Sequence, residues 1–375
     1  MFVRELTFNG FRNLHPATWC PDGGVNILYG DNAQGKTNLL EACWLFTGAR
    51  SFRGAKDSEM VAFGAEKAAL SLGFTAGGRE QEAAITIGQR RSATLNGVKL
   101  PSAARLAGTF CGVVFSPAHL SLIKDGPEGR RRFVDSACCQ LRPHYVSVLT
   151  EYHKALVQRN AFLKQCKEQT GFGTAQAEQL DLWDHALAVA GARVTRYREE
   201  YIRRLHPLAA TIYDGLSGGR EQLQVGWETP LGDASAADIA RHWMEELQSA
   251  RRADLAVGHT TVGPHREDLA LTLDHLAART YGSQGQQRSA VLALKLAEAS
   301  LLQEVTGETP VAFLDDVMSE LDTSRQDYIL NHIEGWQVFI TCCEPSAALK
   351  TTAAKVFSVK QGVISECDIT DSCYI

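Results

Sequence analysis

The segment from Gly30 to Thr37 reads GDNAQGKT and fits the phosphate-binding pattern GxxxxGK[ST]. Glycines in such a loop let backbone N–H groups surround phosphate oxygens, and the positive end of the following helix adds to the attraction. Lys36 is expected to bridge the β- and γ-phosphates of ATP, and Thr37 to place its hydroxyl on Mg²⁺. The loop therefore predicts an ATP site formed by Gly30, Asp31, Asn32, Ala33, Gln34, Gly35, Lys36 and Thr37.

A second group of chemical interest is the pair of carboxylates that ends the apolar run VAFLDD. A phosphate loop needs a carboxylate on a neighbouring strand, because Mg²⁺ must also be held from the side opposite the threonine hydroxyl. Asp315 is expected to hold Mg²⁺ together with Thr37, and Asp316 to orient the attacking water as a general base. Two acidic residues would equally suit an ordinary turn after a strand, and it is the phosphate loop that favours catalysis by Lys36, Asp315 and Asp316.

The segment from Tyr281 to Arg288 reads YGSQGQQR and precedes a long amphipathic pattern. Its composition also suits a glycine-rich turn that caps a helix. It resembles the signature of ABC ATPases, which implies that Ser283, Gly285 and Gln286 contact ATP bound by the opposite subunit. The residues from Ser319 to Asp322 are similar to the D-loop of the same superfamily, which contacts the partner subunit.

Longer stretches of the chain are similar to the RecF family, and the resemblance covers nearly all of it. These stretches are YGSQGQQRSAVLALKLAE, FLDDVMSELD, VGPHRED at Val262 to Asp268, RRRFVD at Arg130 to Asp135 and FNGFRNL at Phe8 to Leu14. The resemblance implies an SMC-like head, weak ATP hydrolysis and an ATP-dependent homodimer that binds double-stranded and single-stranded DNA at gaps or junctions. It also implies RecO and RecR as partners, help in loading RecA at single-strand gaps, and support of replication and the SOS response.

The composition is that of an ordinary globular protein, with 45% apolar and 22% charged residues among 375. The net charge of −5 means that any DNA-binding surface must be local. The ten cysteines lie mostly in apolar runs without a CxxC pair, so zinc or redox chemistry is not expected. The N-terminus lacks the layout of a signal peptide, and no apolar run approaches the roughly 18 residues of a membrane span. A reduced, cytoplasmic protein without a membrane partner is predicted.

The elements that must position these residues alternate between strand and helix patterns. We predict an α/β fold, namely an ABC-type P-loop ATPase head of the SMC-like kind with an inserted, mostly helical lobe. The domains are expected at residues 1–120 for the first half of the core, 121–260 for the lobe and 261–375 for the second half. Predicted strands lie in the first thirty residues at a sheet edge, at 25–29, in a meander over 74–100, and at 110–115, 268–273, 311–314, 337–341 and 356–364; predicted helices lie at 36–46, ending at Gly48, within 127–205 and at 287–303.

The predicted lobe is locally basic. The residues from Arg130 to Leu205 include thirteen Lys and Arg but eight Asp and Glu. Such an asymmetry favours phosphate contacts, although a solvated helical surface or a docking face for a partner protein would have the same composition. No sequence-specific DNA-reading motif is recognisable, so backbone binding is expected. The candidate DNA-binding residues are Arg130, Arg131, Arg132, Arg193, Arg196, Arg203 and Arg204.

The main alternative is a transport or metabolic ABC-type ATPase that does not act on DNA. The 246 positions from Thr37 to Ser283 are too many for its compact form, and it would carry glutamate in place of Asp316. An SMC-type chromosome organiser would need long heptad repeats, and a small-molecule kinase gives no reason for the signature. The sequence does not place a Q-loop glutamine, leaves the switch residue at Thr341 or Cys342, and favours a structural role for His265.

Overall fold

The computed structural model describes residues 1–168, 173–229, 234–344 and 354–367. Its strands are β1 Phe2–Asn9, β2 Ala17–Trp19, β3 Val25–Tyr29, β4 Ala68–Ala76, β5 Arg79–Ile87, β6 Ser92–Leu95, β7 Val98–Lys99, β8 Gly112–Phe115, β9 Leu223–Glu228, β10 Asp268–Leu273, β11 Leu276–Ala277, β12 Val311–Asp315, β13 Val338–Cys342, β14 Ala354–Lys360 and β15 Val363–Cys367. Its α-helices are α1 Lys36–Trp44, α2 Asp57–Met60, α3 Pro117–Leu120, α4 Pro127–Leu141, α5 Tyr145–Glu168, α6 Thr174–Ser217, α7 Ala236–Val257, α8 Ala278–Tyr281, α9 Gln284–Thr306 and α10 Thr323–His332.

The core sheet has the strand order β15-β14-β3-β13-β12-β8, and all neighbours are parallel except β15 and β14. Its central strands are short apolar runs buried on both faces, as the composition of a parallel sheet requires. Because parallel strands all run the same way, their carboxyl ends meet at one edge. The register pairs Asp315 with Thr341, and Thr341 with Leu28, beside the start of the phosphate loop.

An antiparallel sheet of order β2-β1-β4-β5-β6-β7 packs against the core sheet and includes the predicted meander. One apolar cluster joins the two sheets, with Phe8 and Phe74 from the antiparallel sheet and Phe313 and Phe339 from the core sheet. The prediction of strands at a sheet edge in the first thirty residues is wrong for β1, whereas β3 is a buried strand, as its apolar run predicts. β1 lies between β2 and β4, and β3 lies between β14 and β13, because each binds neighbours from distant parts of the chain.

The helical lobe consists mainly of α4 to α7, and its longest helix, α6, has 44 residues and packs along α9. Arg159 of α5, 0% exposed, holds the three long helices together. Its Nε donates to Asp184 of α6 at 2.7 Å, and its Nη1 donates to Asp254 of α7 at 2.6 Å. An arginine with five donors in a rigid fork suits such a three-helix junction.

The predicted boundary between residues 260 and 261 separates strands that pair with each other. β9, which lies between α6 and α7, is hydrogen-bonded to β10 from Leu223 to Glu228, and β11 completes this three-stranded sheet. This small sheet joins residues on both sides of the predicted boundary, and the bounds of the lobe stay a prediction. Among the described residues, no helix is long and apolar enough to cross a membrane.

Candidate nucleotide site

Two glycines of the phosphate loop have backbone conformations that other residues rarely adopt. Gly30 has φ +150, and a Cβ there would lie 2.3 Å from the carbonyl oxygen of Val359. Gly35 has φ +119 at the N-terminus of α1, and a Cβ there would lie 3.0 Å from Asn13 Oδ1. The glycines of the motif are thus required by backbone geometry and by close packing.

Lys36 is the buried cation of the loop, with 7% of its surface exposed. Its Nζ donates to the carbonyl oxygens of Gly30 at 2.5 Å and Asp31 at 2.9 Å. The ammonium is therefore held within the loop by neutral acceptors, and no carboxylate of the described residues forms an ion pair with it. Its positive charge is available to phosphate oxygens in that concavity.

A hydroxyl and a carboxylate meet at the edge of the core sheet, as the sequence predicts. Thr37 Oγ1 donates to Asp315 Oδ1 at 2.7 Å across 278 positions of sequence. Thr341 Oγ1 donates to the same oxygen at 2.9 Å and accepts from the backbone N–H of Asp316 at 2.8 Å. The parallel register of β12 and β13 brings Thr341 into contact with Asp315. Thr341 is one of the two residues between which the sequence leaves the switch position open, and here it contacts both carboxylate residues.

The environments of the two carboxylates differ. Burial raises the pKa of Asp315, and the neighbouring charge of Asp316 raises it further, while the hydroxyls of Thr37 and Thr341 lower it. Asp316 lies just beyond the strand with φ +52, which is unusual for a residue with a side chain. The Thr341 hydroxyl holds the N–H of Asp316 in this conformation, and the carbonyl of Asp316 accepts from Ser319 Oγ at 2.9 Å.

The Thr37 and Asp315 oxygens fit a magnesium ion. Mg²⁺ prefers hard oxygen ligands and is usually bound by one or two protein groups together with substrate phosphates. A hydroxyl and a carboxylate 2.7 Å apart, beside a phosphate loop, meet that requirement. Among the described residues no group of three or more His, Cys, Asp or Glu is arranged to hold a metal ion by itself.

A cavity of about 600 Å³ lies over the phosphate loop, within the usual range for a small-molecule site. Asp316 and Thr341 line it, as do several residues to which the sequence pattern assigned no role. Two of them, Arg12 and Asn13, belong to the FNGFRNL segment, whose only signal in the sequence is its resemblance to the family. The others that sequence reasoning missed include Arg53 and the fully exposed Phe63, which carry no motif.

The signature segment is the N-terminal cap of α9. Ser283 Oγ accepts from the N–H of Gln286 at 3.3 Å, and Gln286 Oε1 accepts from the N–H of Ser283 at 2.6 Å. This capping box satisfies two backbone donors. Gly285 is different, because the nearest atom to a Cβ placed there is an Arg325 nitrogen at 3.5 Å, which is an ordinary contact. Nothing in the described part of its own chain requires a glycine at this position.

The signature and the phosphate loop line different cavities. The cavity at Ser283, Gly285 and Gln286 has a volume of about 230 Å³, and none of its lining residues lines the cavity over the phosphate loop. The D-loop is attached to the signature helix, since Arg288 of α9 pairs with Glu320 at 3.1 Å, and Asp322 caps α10. One chain therefore does not bring its signature residues into its own phosphate-loop cavity.

The predicted DNA-binding arginines are not equally available. Arg130 is 3% exposed, and its Nε and Nη2 each donate to Asp268 at 2.7 Å, while Nη1 donates to three backbone carbonyls. The prediction for Arg130 is therefore wrong, because this guanidinium joins α4 to β10 in the interior. Arg131 is half-buried, donates to the carbonyl of Glu267 at 2.8 Å and has a pKa lowered by burial.

The other predicted arginines lie closer to the surface. Arg132 has 62% of its side chain exposed and lies 3.9 Å from Glu128. Arg193 pairs with Glu151 at 2.9 Å, and Arg204 pairs with Glu304 of α9 at 2.9 Å. The remaining two are exposed, Arg196 donating to the carbonyl of Ala234 at 3.0 Å and Arg203 pairing with Glu200.

Two segments that the sequence left open have structural roles. His265 Nδ1 lies 2.6 Å from the Tyr152 hydroxyl and Nε2 lies 3.2 Å from the carbonyl of Thr260. Burial lowers the pKa of His265 to about 4, so this histidine is neutral at pH 7. At the end of β8, in the region where the sequence does not place a Q-loop glutamine, Ser116 is buried and its Oγ lies 3.1 Å from His119 Nδ1.

Comparisons with known proteins give consistent results. A family model described as the RecF/RecN/SMC N terminal domain matches residues 2–365. The chain is similar to the DNA replication and repair protein RecF of Agathobacter rectalis, with 38% identity over 372 residues, which cover 98% of this chain and 100% of the relative. A solved structure of the recombination mediator protein RecF-ATP in the RecFOR pathway is 35% identical, has a TM-score of 0.90 and covers 98% of both chains. The Smc head domain from Pyrococcus furiosus, 15% identical with a TM-score of 0.54 over 98% of this chain and 96% of that chain, shares the fold.

Proposed function

Because the chain belongs to the RecF family, within the RecF/RecN/SMC N-terminal domain group, we propose that it is an ATP-dependent DNA-binding protein of recombinational repair. Two copies dimerise around ATP, bind double-stranded and single-stranded DNA at gaps or junctions, and help RecO and RecR to load RecA. This activity supports replication and the SOS response. The alternative of a transport or metabolic ATPase is not favoured, since relatives matched over almost the whole chain are replication and repair proteins.

One observation carries the dimeric part of the proposal, namely that the two halves of an ABC-type nucleotide site line separate cavities in one chain. Within the described part of its own chain, Gly285 has no steric reason to be a glycine. A glycine beside a helix N-terminus is suited to close approach by a phosphate group. ATP held by the phosphate loop of one chain is then completed by Ser283, Gly285 and Gln286 of the other.

The residues of the phosphate-loop cavity divide the work of hydrolysis. Lys36 binds the β- and γ-phosphates, and Thr37 and Asp315 hold Mg²⁺, which neutralises charge on the phosphate oxygens when bound. Asp316 accepts a proton from the attacking water. Thr341 fixes Asp315 Oδ1 and the backbone of Asp316 at the same time. Turnover is slow, because the signature must arrive from a second chain before the site is complete.

The lobe supplies the DNA contacts. After Arg130 is removed from the candidates, the exposed arginines are Arg132, Arg196 and Arg203. Each monomer offers few phosphate contacts, and a dimer doubles them while joining the two half-sites. DNA affinity therefore rises with ATP and falls steeply with salt.

The experiment that tests this function uses Ser283→Arg, which places a long cation in the signature cavity. Sedimentation with and without ATP measures dimerisation, and DNA titrations at two salt concentrations measure binding. The expected result is normal ATP binding by the monomer with loss of both dimerisation and the ATP-dependent gain in DNA affinity. The matched control is Gln303→Arg, which adds the same side chain at an exposed position near the other end of α9.

Two outcomes would overturn the composite site. The first is a Ser283→Arg protein that still dimerises with ATP. The second is a wild-type protein that binds DNA equally well without nucleotide. A protein that dimerises on ATP as described but shows no affinity for DNA would leave the nucleotide chemistry intact and refute the repair function.

A further inference from the structure

The cavity at the signature contains positively charged side chains that do not belong to the signature segment itself. Besides Ser283 and Gly285, it is lined by two arginines, Arg220 and Arg325, and by one carboxylate, Glu221. The arginines come from outside the signature segment, Arg220 from the turn that follows α6 and Arg325 from α10. Whether either can act on a ligand depends on what its guanidinium already contacts.

Every guanidinium nitrogen of Arg325 has a partner within its own chain. Its Nε donates to Ser289 Oγ at 2.8 Å, its Nη2 donates to the carbonyl of Gly285 at 3.3 Å, and its Nη1 pairs with Asp322. This arginine ties the first turn of α10 to the first turns of α9. It is a structural connector of the signature.

Glu221 is engaged as well. Its Oε1 accepts from Gln286 Nε2 at 2.7 Å, and its Oε2 accepts from the Tyr213 hydroxyl at 2.6 Å. Both carboxylate oxygens are therefore bound to neutral donors. No carboxylate of the described residues forms an ion pair with Arg220.

Arg220 differs from Arg325 in that a single guanidinium nitrogen, Nε, has a partner in the described parts of the chain. Its Nε donates to the carbonyl of Ser217 at 2.6 Å, which anchors the guanidinium against the last turn of α6. Within the described parts of the chain, its terminal nitrogens Nη1 and Nη2 make no hydrogen bond. Gly218 with φ +66 and Gly219 with φ +72 end the helix and turn the chain toward the signature cavity. Successive left-handed residues of this kind are readily formed by glycine alone.

We propose that Arg220 donates to phosphate oxygens of ATP bound by a second copy of the chain. The proposal rests on the composite site proposed above and adds a residue to it. An anchored arginine with two parallel free donors matches the oxygens of a phosphate group. It lines the same cavity as Ser283, which is the cavity expected to receive the partner's nucleotide. Arg220 supplies positive charge in trans as the γ-phosphate is transferred, a contribution that oriented cations make to phosphoryl transfer.

The first experiment compares Arg220→Ala and Arg220→Lys with wild type in ATP hydrolysis, ATP binding by the monomer and ATP-dependent dimerisation. For Arg220→Ala, hydrolysis is expected to fall about a hundredfold to a thousandfold, with ATP affinity of the monomer unchanged. Arg220→Lys retains the charge without the fork and is expected to recover part of the loss. Arg90→Ala is the matched control, since Arg90 is an exposed arginine that lines neither cavity.

The second experiment separates action in trans from action in cis. Arg220→Ala protein is mixed with Asp316→Asn protein, each being nearly inactive by itself. In a mixed dimer, the phosphate loop of the Arg220→Ala chain meets an intact Arg220 from its partner, so one of the two sites is complete. Random pairing then restores hydrolysis to about a quarter of the wild-type rate.

Hydrolysis by Arg220→Ala at the wild-type rate, or a mixture that regains no activity, overturns the proposal. These failures are distinguishable from failure of the composite site itself. If Ser283→Arg abolishes dimerisation while Arg220→Ala is fully active, the composite site stands without this arginine. If Ser283→Arg dimerises and hydrolyses ATP normally, both proposals are wrong.

Discussion

Replacing Thr341 with valine tests the arrangement of the two carboxylates most directly. Valine has nearly the shape of threonine, so the substitution removes a hydroxyl from a side chain that is 1% exposed without opening a cavity. The hydroxyl makes two hydrogen bonds, donating to Asp315 Oδ1 and accepting from the N–H of Asp316. Lys36 and the phosphate loop are not touched.

The expected magnitude follows from those two bonds. A hydrogen bond to a charged group contributes about 1.5–3 kcal/mol, and one between neutral groups about 1 kcal/mol. Without its partner, the backbone of Asp316 is free to leave its left-handed conformation, and the carboxylate loses its position for the attacking water. If about half of that free energy is expressed in the transition state, kcat falls roughly tenfold. ATP affinity should change little.

The assay is steady-state ATP hydrolysis at a series of Mg²⁺ concentrations and pH values, with Thr341→Ser as the control that keeps the hydroxyl. The Thr341 hydroxyl lowers the pKa of Asp315, so its removal raises that pKa further. Metal binding requires the ionised carboxylate, and the loss of activity on the acid side should therefore begin at a higher pH in the valine variant. The Mg²⁺ requirement should rise with it.

Wild-type kcat in Thr341→Val, with an unchanged Mg²⁺ requirement and pH profile, would refute this reasoning. So would a serine variant as impaired as the valine variant, because the effect would then come from packing.

Three further predictions concern the same residues and the lobe. Asp316→Asn should bind ATP, dimerise and hardly hydrolyse, since an amide does not accept a proton from water; nucleotide retained after gel filtration checks this. Burial raises the pKa of Asp315, so the fold favours the protonated form and the ionised form destabilises it at neutral pH. Asp315→Asn should therefore raise the melting temperature of the nucleotide-free protein at pH 7. This increase should shrink as the pH falls through the pKa of Asp315 in the folded state. The same substitution should remove Mg²⁺-dependent hydrolysis. Arg130→Ala should lower the free energy of unfolding by about 3–5 kcal/mol, because it leaves the Asp268 carboxylate without its partner. Arg132→Ala should leave the free energy of unfolding unchanged and reduce the salt dependence of DNA binding by about one phosphate contact. Urea unfolding measures the first effect, and DNA titrations at several salt concentrations measure the second.

Much of the nucleotide site could be predicted from local sequence. The phosphate loop requires glycines at fixed spacing, and the structure gives the physical reasons in the φ of Gly35 and the close approach of Val359 to Gly30. The strand before Asp315 is a short apolar run, which predicts burial in a parallel sheet wherever it pairs. The cap of α9 is local too, because Ser283 and Gln286 are three residues apart.

The tertiary structure decided the contacts that depend on distant pairing. Thr341 lies one residue before the end of an apolar strand, where the sequence leaves the switch residue open, and it meets Asp315 through the register in which β12 and β13 pair. In the sequence Arg130 belongs to a basic run that suggests an exposed surface, yet in the structure it is buried and paired with Asp268, 138 positions away. From the sequence, the separation of the signature from its own phosphate loop is implied by the family resemblance alone, and in the structure the two line different cavities. Spacing along a chain predicts contacts within a loop or a helical turn, whereas contacts across a sheet or between lobes arise from the packing of the whole core.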